Sequence, residues 1–356
     1  MLFHDKTVGV ERSARQAANK IIGRTLLLFI LFFTVIIAAA CGNNAGSNTA
    51  GADSSTANQA TASPSAGKTS ESQTQTVKHV LGTTEVPAHP KRVAVHGLED
   101  IMLALKAPMV YAYSVDGHYL SAQLKELKVP TFNTWEPNLE AILSQQPDLI
   151  LINKNAVDPK SYAELSKIAP TVALDAGEWR TSIVTIGSIL GLADQAQAVI
   201  KAHDEKIGQA KAAIAGAVGA DKTVAYIRPS DKELQLFFPS FNLVYRDLGL
   251  KPDASVIDYQ KQTADDWGMN LSLEKLPTIT ADYVFAIYGY SLETEAEFQQ
   301  HVAASKEIEK LQVWKAMPAV QQNHLFKVSA RHWISAGPIA ESREIDDVVA
   351  AITGKK

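Results

Sequence analysis

An α/β fold in two lobes of one plan is predicted by three features of the sequence. The first is the run Asn138–Ile152 (NLEAILSQQPDLILI), where an acidic residue opens a short amphipathic turn that leads through Pro147-Asp148 into an aliphatic strand. A helical turn feeding a buried strand is half of an α/β unit. The second is its repetition at Leu271–Ile287 (LSLEKLPTITADYVFAI), in which Glu140 and Glu274 are separated by the same 134 positions as Asp148 and Asp282. The third lies between the copies. From about Ala193 to Ala217, the positions Ala196, Val199, Ile200, His203, Ile207, Ala210 and Ile214 keep the rhythm of one buried helical face. That pattern predicts one stiff helix bridging two lobes.

The body starts with a short strand and turn in Val77–Pro90, then the strand Lys91–His96 and the helix Leu98–Leu105, acidic in its first turn. Met109–Ser114 reads as a second strand and Leu120–Leu127 as a second helix. After the first Leu-Glu copy come a loop at Lys154–Lys160, a helix at Ser161–Ile168, the strand Thr171–Leu174 and the helix Glu178–Leu190, stopped by Gly191. The second lobe opens with the strands Lys222–Ile227 and Glu233–Phe238 and the helix Asn242–Leu248, followed by a polar loop at Asp258–Met269. Helices at Glu295–Ala304 and Lys306–Leu311, the strand Leu325–Val328 and the helix Ile339–Ile352 complete it. Strands alternating with helices at this spacing predict mainly parallel sheets covered on both faces.

The N-terminus carries Lys6, Arg12, Arg15, Lys20 and Arg24 ahead of the apolar run Thr25–Ala40 and then Cys41, the single cysteine of the chain. A basic segment, an apolar core and small residues before a cysteine form a secretory signal. Ala38-Ala39-Ala40-Cys41 resembles a bacterial lipobox, in which the thiol is lipidated; Ala38 stands where Leu is preferred. Gly42–Thr76 has no aromatic and no aliphatic residue larger than alanine, so it reads as a disordered tether. As a flexible coil it would span roughly 30–35 Å. The organisation expected is therefore a signal at residues 1–40, lipidated Cys41 and tether at 41–76, an N-terminal lobe at 77–192, the bridging helix at 193–218 and a C-terminal lobe at 219–356. Such a body sits on the extracytoplasmic face of the cell membrane.

The 356-residue chain has a formal charge of −4. Residues 1–40 hold five basic and two acidic side chains, so their removal leaves −7. An acidic body argues against nucleic-acid binding. Enzyme signatures such as G-x-G-x-x-G, G-x-S-x-G and H-E-x-x-H do not occur, and the nine histidines lack metal-ligand spacing. Arg228 follows an apolar strand and precedes a proline, which places a guanidinium at a strand's C-terminal end, where α/β proteins bind ligands. His118, Lys154, Tyr288, Arg331 and Trp333 occupy comparable strand-to-loop positions, while Trp135, Trp179 and Trp314 read as packing aromatics.

The runs Pro87–Val93 (PAHPKRV), Glu99–Leu105, Glu136–Leu151, Leu271–Leu276 and Trp333–Ser342 (WISAGPIAES) occur in an order that resembles the iron–siderophore and cobalamin substrate-binding proteins of ABC importers. The resemblance covers the chain from Val77 onward. It implies two Rossmann-like lobes of the class III periplasmic-binding-protein type, joined by one long interlobe helix with the ligand cleft between them, and no catalytic activity. It implies that Glu140 and Glu274 dock onto arginines of a permease dimer with its ATPase, on an outer surface away from the cleft. It implies that Arg228 contacts chelating oxygens, with His118, Lys154, Tyr288, Arg331 and Trp333 as further ligand contacts. Iron is then held by the siderophore, with no direct protein ligand and no intrinsic cofactor. The Ile227–Ser230 run and the His118 and Lys154 loops look closest to siderophore-binding lipoproteins of Gram-positive bacteria, acting as monomers. His118 stands where a stronger base is expected for a triscatecholate, so hydroxamate and citrate-type ligands stay open. Haem or cobalamin on the same fold, and a surface-tethered enzyme, are the alternatives.

Overall fold

The computed structural model describes residues 74–354 except Ala220, Asp231, Asn242 and Leu292. The predicted signal, Cys41 and nearly all of the predicted tether lie outside the described residues. Among the described residues, no helix is long and apolar enough to cross a membrane.

Strands β1 (Thr74–His79) and β2 (Gly82–Pro87) form an antiparallel hairpin. β1 thus begins inside the segment expected to be tether. Polar residues are ordered there by ladder bonds rather than by their own burial, and Gln75 Nε2 also donates to the Ile189 carbonyl at 3.0 Å.

The first lobe is a parallel sheet of β3 (Val93–His96), β4 (Ala112–Tyr113), β5 (Thr131–Phe132), β6 (Leu149–Asn153) and β7 (Thr171–Leu174). β3, β6 and β7 pair in that order, and β4 pairs with β5. The two pieces are stitched by the parallel bridge of Ala94 with Tyr111, where Val95 N donates to Tyr111 O at 3.0 Å. The hairpin covers the open edge, Val80 N donating to Ala173 O and Thr84 Oγ1 to Thr171 O. Every residue of β6 is buried, as a strand covered on both faces requires.

The helices of this lobe are α1 (Glu99–Ala104), α2 (Ser121–Glu126), α3 (Leu139–Ser144), α4 (Pro159–Ile168) and α5 (Trp179–Leu190). Local chemistry fixes their ends. Asn138 caps α3 by accepting from Ala141 N, and Asp158 caps α4 in a reciprocal pair with Ser161. Left-handed Gly191 closes α5.

Helix α6 spans Ala193–Val218, about 39 Å at 1.5 Å per residue. Ala196, His203, Ala210 and Ile214 form its buried face. A side chain at Gly187 of α5 would meet the Ala196 Cβ at 2.8 Å, so the two helices approach closely.

The second lobe is a six-stranded mixed sheet rather than a mainly parallel one. It comprises β8 (Thr223–Pro229), β9 (Glu233–Phe237), β10 (Lys251–Pro252), β11 (Gly268–Ser272), β12 (Tyr283–Tyr288) and β13 (Leu325–Ser329). β8, β12 and β13 run parallel, whereas β9 is antiparallel to both β8 and β11. The short link at 230–232 leaves no room for a crossover helix, so β9 must fold back as a hairpin. Its helices are α7 (Leu243–Arg246), α8 (Ala254–Gln260), α9 (Glu295–Ile308), α10 (Gln312–Lys315), α11 (Pro318–Gln321), α12 (Ala330–Trp333) and α13 (Pro338–Thr353).

Three local expectations change here. The region expected as a polar loop contains part of α8, which Asp253 caps, and the start of β11. The two helices expected after Glu295 are one, α9, because Ser305 turns inward and donates to the Pro229 carbonyl at 3.0 Å. The second Leu-Glu copy folds as a 3-10 helix, Leu273–Thr278, since Pro277 inside it cannot donate an α-helical hydrogen bond.

The repeated aspartates perform one task in both lobes. Asp148 accepts the backbone N–H groups of Lys91 and Arg92 at 2.7 and 2.9 Å, just before β3. Asp282 accepts Thr223 N at 2.9 Å, at the start of β8. Each fixes the entry of its lobe's first strand beside the strand that it precedes.

Helix α13 is a second link between the lobes. Its body packs into the second lobe through Ile345, Val348 and Ile352, while Ala340 belongs to the first lobe's core.

Candidate functional site

The parallel strands of each lobe end at one edge of its sheet, and chemistry-bearing residues collect there. In the first lobe, β3 runs into Gly97, β4 into the loop Ser114–Leu120, β5 towards Trp135 and β6 into Lys154. In the second, Arg228 lies at the end of β8, Tyr288 ends β12 just before Tyr290, and Arg331 follows β13.

These edges meet. Arg331 is only 4% exposed and donates to Glu295 Oε2 at 3.1 Å, to the Glu293 carbonyl at 2.7 Å and, across the seam, to the Asp116 carbonyl at 3.3 Å. Its guanidinium also lies over the Phe298 ring. Gly117, at φ +77°, backs onto Glu295 so closely that a Cβ would fall 1.8 Å from Oε2. The lobes can touch here only because that position has no side chain.

Arg228 is placed differently. Its guanidinium lies 4.4 Å from the centroid of the Tyr290 ring and 5.9 Å from that of Phe237, and burial lowers its pKa. Among the described residues, no carboxylate lies within ion-pair distance of it. Trp267, 38% exposed, packs edge-on against Phe237. Tyr290 meets His301 edge-on at 5.0 Å, and His301 pairs with Glu293, whose carboxyl is pushed up by burial and held back by that imidazole. Arg228 therefore sits in an aromatic wall with acids at one remove. In the first lobe, Tyr113 and Trp135 pack tilted or edge-on around buried His96, with ring centroids 5.2–5.7 Å apart.

The other expected contacts fare unequally. His118 comes to the seam beside Tyr119, its Nδ1 buried without a hydrogen-bond partner among the described residues. Burial foremost, then Arg331 and Arg343, lower its pKa to about 4, so it is neutral at ordinary pH. Lys154 is tied to Asp175. Tyr288 is 5% exposed and spends its hydroxyl on Glu309 at 2.8 Å. Trp333, 2% exposed, is a core residue whose Nε1 donates to Asp347 at 2.8 Å. Glu140 and Glu274 are exposed. α3 follows β5, and the Leu273–Thr278 turn follows β11, which two antiparallel pairings leave parallel to β8. Both glutamates consequently lie on the strand-end side, flanking the seam, and not on the far surface as expected.

Sequence reasoning passed over Tyr290, Glu293, Phe237, Trp267 and the exposed side of Trp135. The available signal was the turn at Gly289, whose φ of +77° and close approach to Phe298 throw Tyr290 to the end of β12. Among the described residues, no group of three metal-ligating side chains could hold an ion. A cavity of about 520 Å³ is lined by Asp116, Ser121, Lys125, Lys128 and Thr131, and Arg228 is not part of its lining.

Two α/β lobes with strand ends opposed across a seam, joined by one long helix, define a bilobal substrate-binding protein of the class III periplasmic type. The chain belongs to the periplasmic binding protein family, whose sequence profile matches residues 100–331. It is 28% identical over 336 residues to the probable siderophore-binding lipoprotein YfiY of Bacillus subtilis (strain 168), covering 90% of this chain and 96% of that one. It is 30% identical over 337 residues to the iron(3+)-hydroxamate-binding protein YxeB of the same strain, covering 90% and 94%. Among solved structures it resembles Staphylococcus aureus SirA complexed with staphyloferrin B, at a TM-score of 0.65 and 25% identity over 78% of this chain and 98% of that one. These relatives are binding proteins, as the sequence led one to expect.

Proposed function

We propose that the protein captures a ferric siderophore between its lobes and delivers it to an ABC permease from the extracytoplasmic face of the membrane. Lipid on Cys41 holds it there, Glu140 and Glu274 dock it, and residues 77–192 and 219–356 act as the two lobes about the helix at 193–218. The observation that carries the ligand reading is Arg228, a guanidinium without a carboxylate partner among the described residues, set in aromatic rings at a strand's C-terminal end. Such a group donates charge-assisted hydrogen bonds to chelating oxygens. The named relatives support the same reading. The iron is cargo wrapped by its chelator, and the protein supplies shape, rings and the Arg228 guanidinium. Calorimetric titration with ferric hydroxamate, catecholate and citrate-type chelates, haem and cobalamin tests it. Saturable binding of a ferric chelate is expected; binding of haem or cobalamin alone overturns it.

A further inference from the structure

We propose that the lower edge of the first lobe, the edge at which its strands begin, rests on anionic lipid headgroups beside the anchor. The strands of that sheet are parallel, so the turns that enter them gather on one edge. Lys91 and Arg92 enter β3, Lys106 follows the end of α1, and Lys125 and Lys128 flank the end of α2. All five are exposed, and among the described residues none has an ion-pair partner. Glu126 and Asp194 are the exposed acids of this edge. Asp148 spends its carboxylate on the backbone N–H groups of Lys91 and Arg92, and Glu164 pairs with Lys167 at 2.7 Å. The body is acidic as a whole, but this edge is basic.

Helix C-termini favour cations in general, and Arg92 Nε does donate to the Gln145 and Gln146 carbonyls at 3.0 Å. That preference leaves two features unexplained. Lys106 and Lys128 adopt the left-handed region, at φ 53° and 56°, where glycine would end a helix at least cost. Leu127 and Leu143, 60% and 58% exposed, are the most exposed large apolar side chains among the described residues, and they close α2 and α3. Leucine set among lysines suits a headgroup layer, where the apolar chain inserts and the ammonium groups meet phosphates. The route of the chain points to the same partner. Thr74 lies opposite Pro87 in the hairpin, and Gln75 donates to the Ile189 carbonyl in the last turn of α5. Helix α5 returns from the strand-end side, so the segment from Cys41 meets the body at this lower edge. The 32 residues between Cys41 and Thr74 would span roughly 30 Å as a flexible coil, enough for the body to settle on the lipid or lift towards a permease. When settled, it holds the seam at the opposite edge of the sheet, facing incoming ligand.

The pose beside the anchor rests on the lipidation of Cys41 proposed above. The test reconstitutes the mature protein, purified from cell membranes, in vesicles of phosphatidylcholine alone or mixed with an equal part of phosphatidylglycerol. Leu127→Cys carries an environment-sensitive fluorophore on the lower edge, and Gln322→Cys carries it on an exposed turn of the second lobe as the control. The probe at position 127 is expected to shift to the blue only with phosphatidylglycerol, added salt should reverse the shift, and the probe at 322 should not respond. Lys106→Gln and Lys128→Gln should each lower the ratio of settled to lifted protein about fivefold, or about 1 kcal/mol. No shift at 127 on anionic vesicles, or an equal shift at both positions, overturns the inference and leaves siderophore capture and the anchor standing. A shift that requires permease in the vesicles assigns this edge to a protein partner and overturns it as well. Fluorophore uptake by the unaltered chain, whose single thiol is at Cys41, would refute the anchor and with it the pose beside it.

Discussion

Asp100, in the first turn of α1, accepts the backbone N–H of Ile339 at 2.9 Å, 239 positions later in the chain. It also accepts Ala340 N and the Tyr119 hydroxyl, so a first-lobe carboxylate caps α13, a helix built largely into the second lobe. Gly337 permits the contact, since at φ +139° a Cβ there would stand 2.3 Å from the Asp100 Cγ. Asp100→Ala strands three buried donors and should lower unfolding free energy by about 2–4 kcal/mol. Asp100→Asn keeps an acceptor and should lose less. Urea denaturation of both variants checks this, and equal losses would show that packing, not capping, holds the helix.

Burial of Glu99 and Asp100 sets a pH dependence. Desolvation raises Glu99 from 4.5 to about 7 and Asp100 from 3.8 to about 6, against the backbone hydrogen bonds that each accepts. In that interval the folded chain keeps protons that the unfolded chain has released. Stability is therefore fullest below the unfolded values and falls as pH rises through the folded ones. Each group contributes up to about 1.4 kcal/mol per pH unit within its window. Glu99→Gln, whose amide oxygen can still accept from Gly97 and Tyr113, should flatten the decline between about pH 4.5 and 7. Urea midpoints across that range measure it; an unaltered slope would assign the decline to other groups.

The duplicated plan was legible because its signals are local. Asp148 and Asp282 recur at one spacing since each must hold its lobe's first strand. α6 was equally plain, its apolar rhythm from Ala196 to Ile214 running over about five turns. What escaped depends on contacts far apart in the chain. Tyr288 and Trp333 have the right positions for ligand contacts, but Glu309 and Asp347 claim their polar atoms. Lys154 likewise meets Asp175 only once β6 and β7 pair. No spacing rule announces such partners. The hairpin return of β9 was hidden too, because its alternating pattern fits either direction.

Arg228→Ala should weaken ferric-chelate binding by about 1.5–3 kcal/mol, the range for hydrogen bonds to charged groups. That is roughly a tenfold to hundredfold loss of affinity. Circular dichroism should stay unchanged, because the side chain packs on rings without anchoring a neighbouring element. Undiminished affinity in titration removes Arg228 from the site.

Cys41→Ser should abolish lipid attachment while leaving ligand binding intact, since the thiol lies 33 positions before the first described strand. Metabolic labelling with a fatty-acid analogue and cell fractionation report it. Equal labelling of wild type and variant would refute the anchor.

Glu140 and Glu274 give the sharpest separation of docking from binding. Both are exposed, and among the described residues neither has an ion-pair partner. Glu140 opens an Asn138-capped α-helix and Glu274 a 3-10 turn, and both flank the seam from the strand-end side. Free carboxylates, one per lobe on one side of the molecule, suit a partner that carries matched basic residues and meets both lobes at once. Such exposed pairs govern encounter and orientation more than affinity, and salt screens them over about 8–10 Å. Glu140→Ala with Glu274→Ala should therefore abolish radio-iron uptake in cells lacking the native copy, each single change should reduce it in part, and raised salt should weaken docking of the unaltered protein to permease vesicles. Ligand affinity of the purified double variant should stay within about twofold of the parent, because both carboxylates are exposed and neither lies within ion-pair distance of Arg228. Normal uptake by the double variant would exclude docking through these residues. A collapse of ligand affinity would instead make them part of the cleft, and the division between a recognising wall and a docking rim would fall.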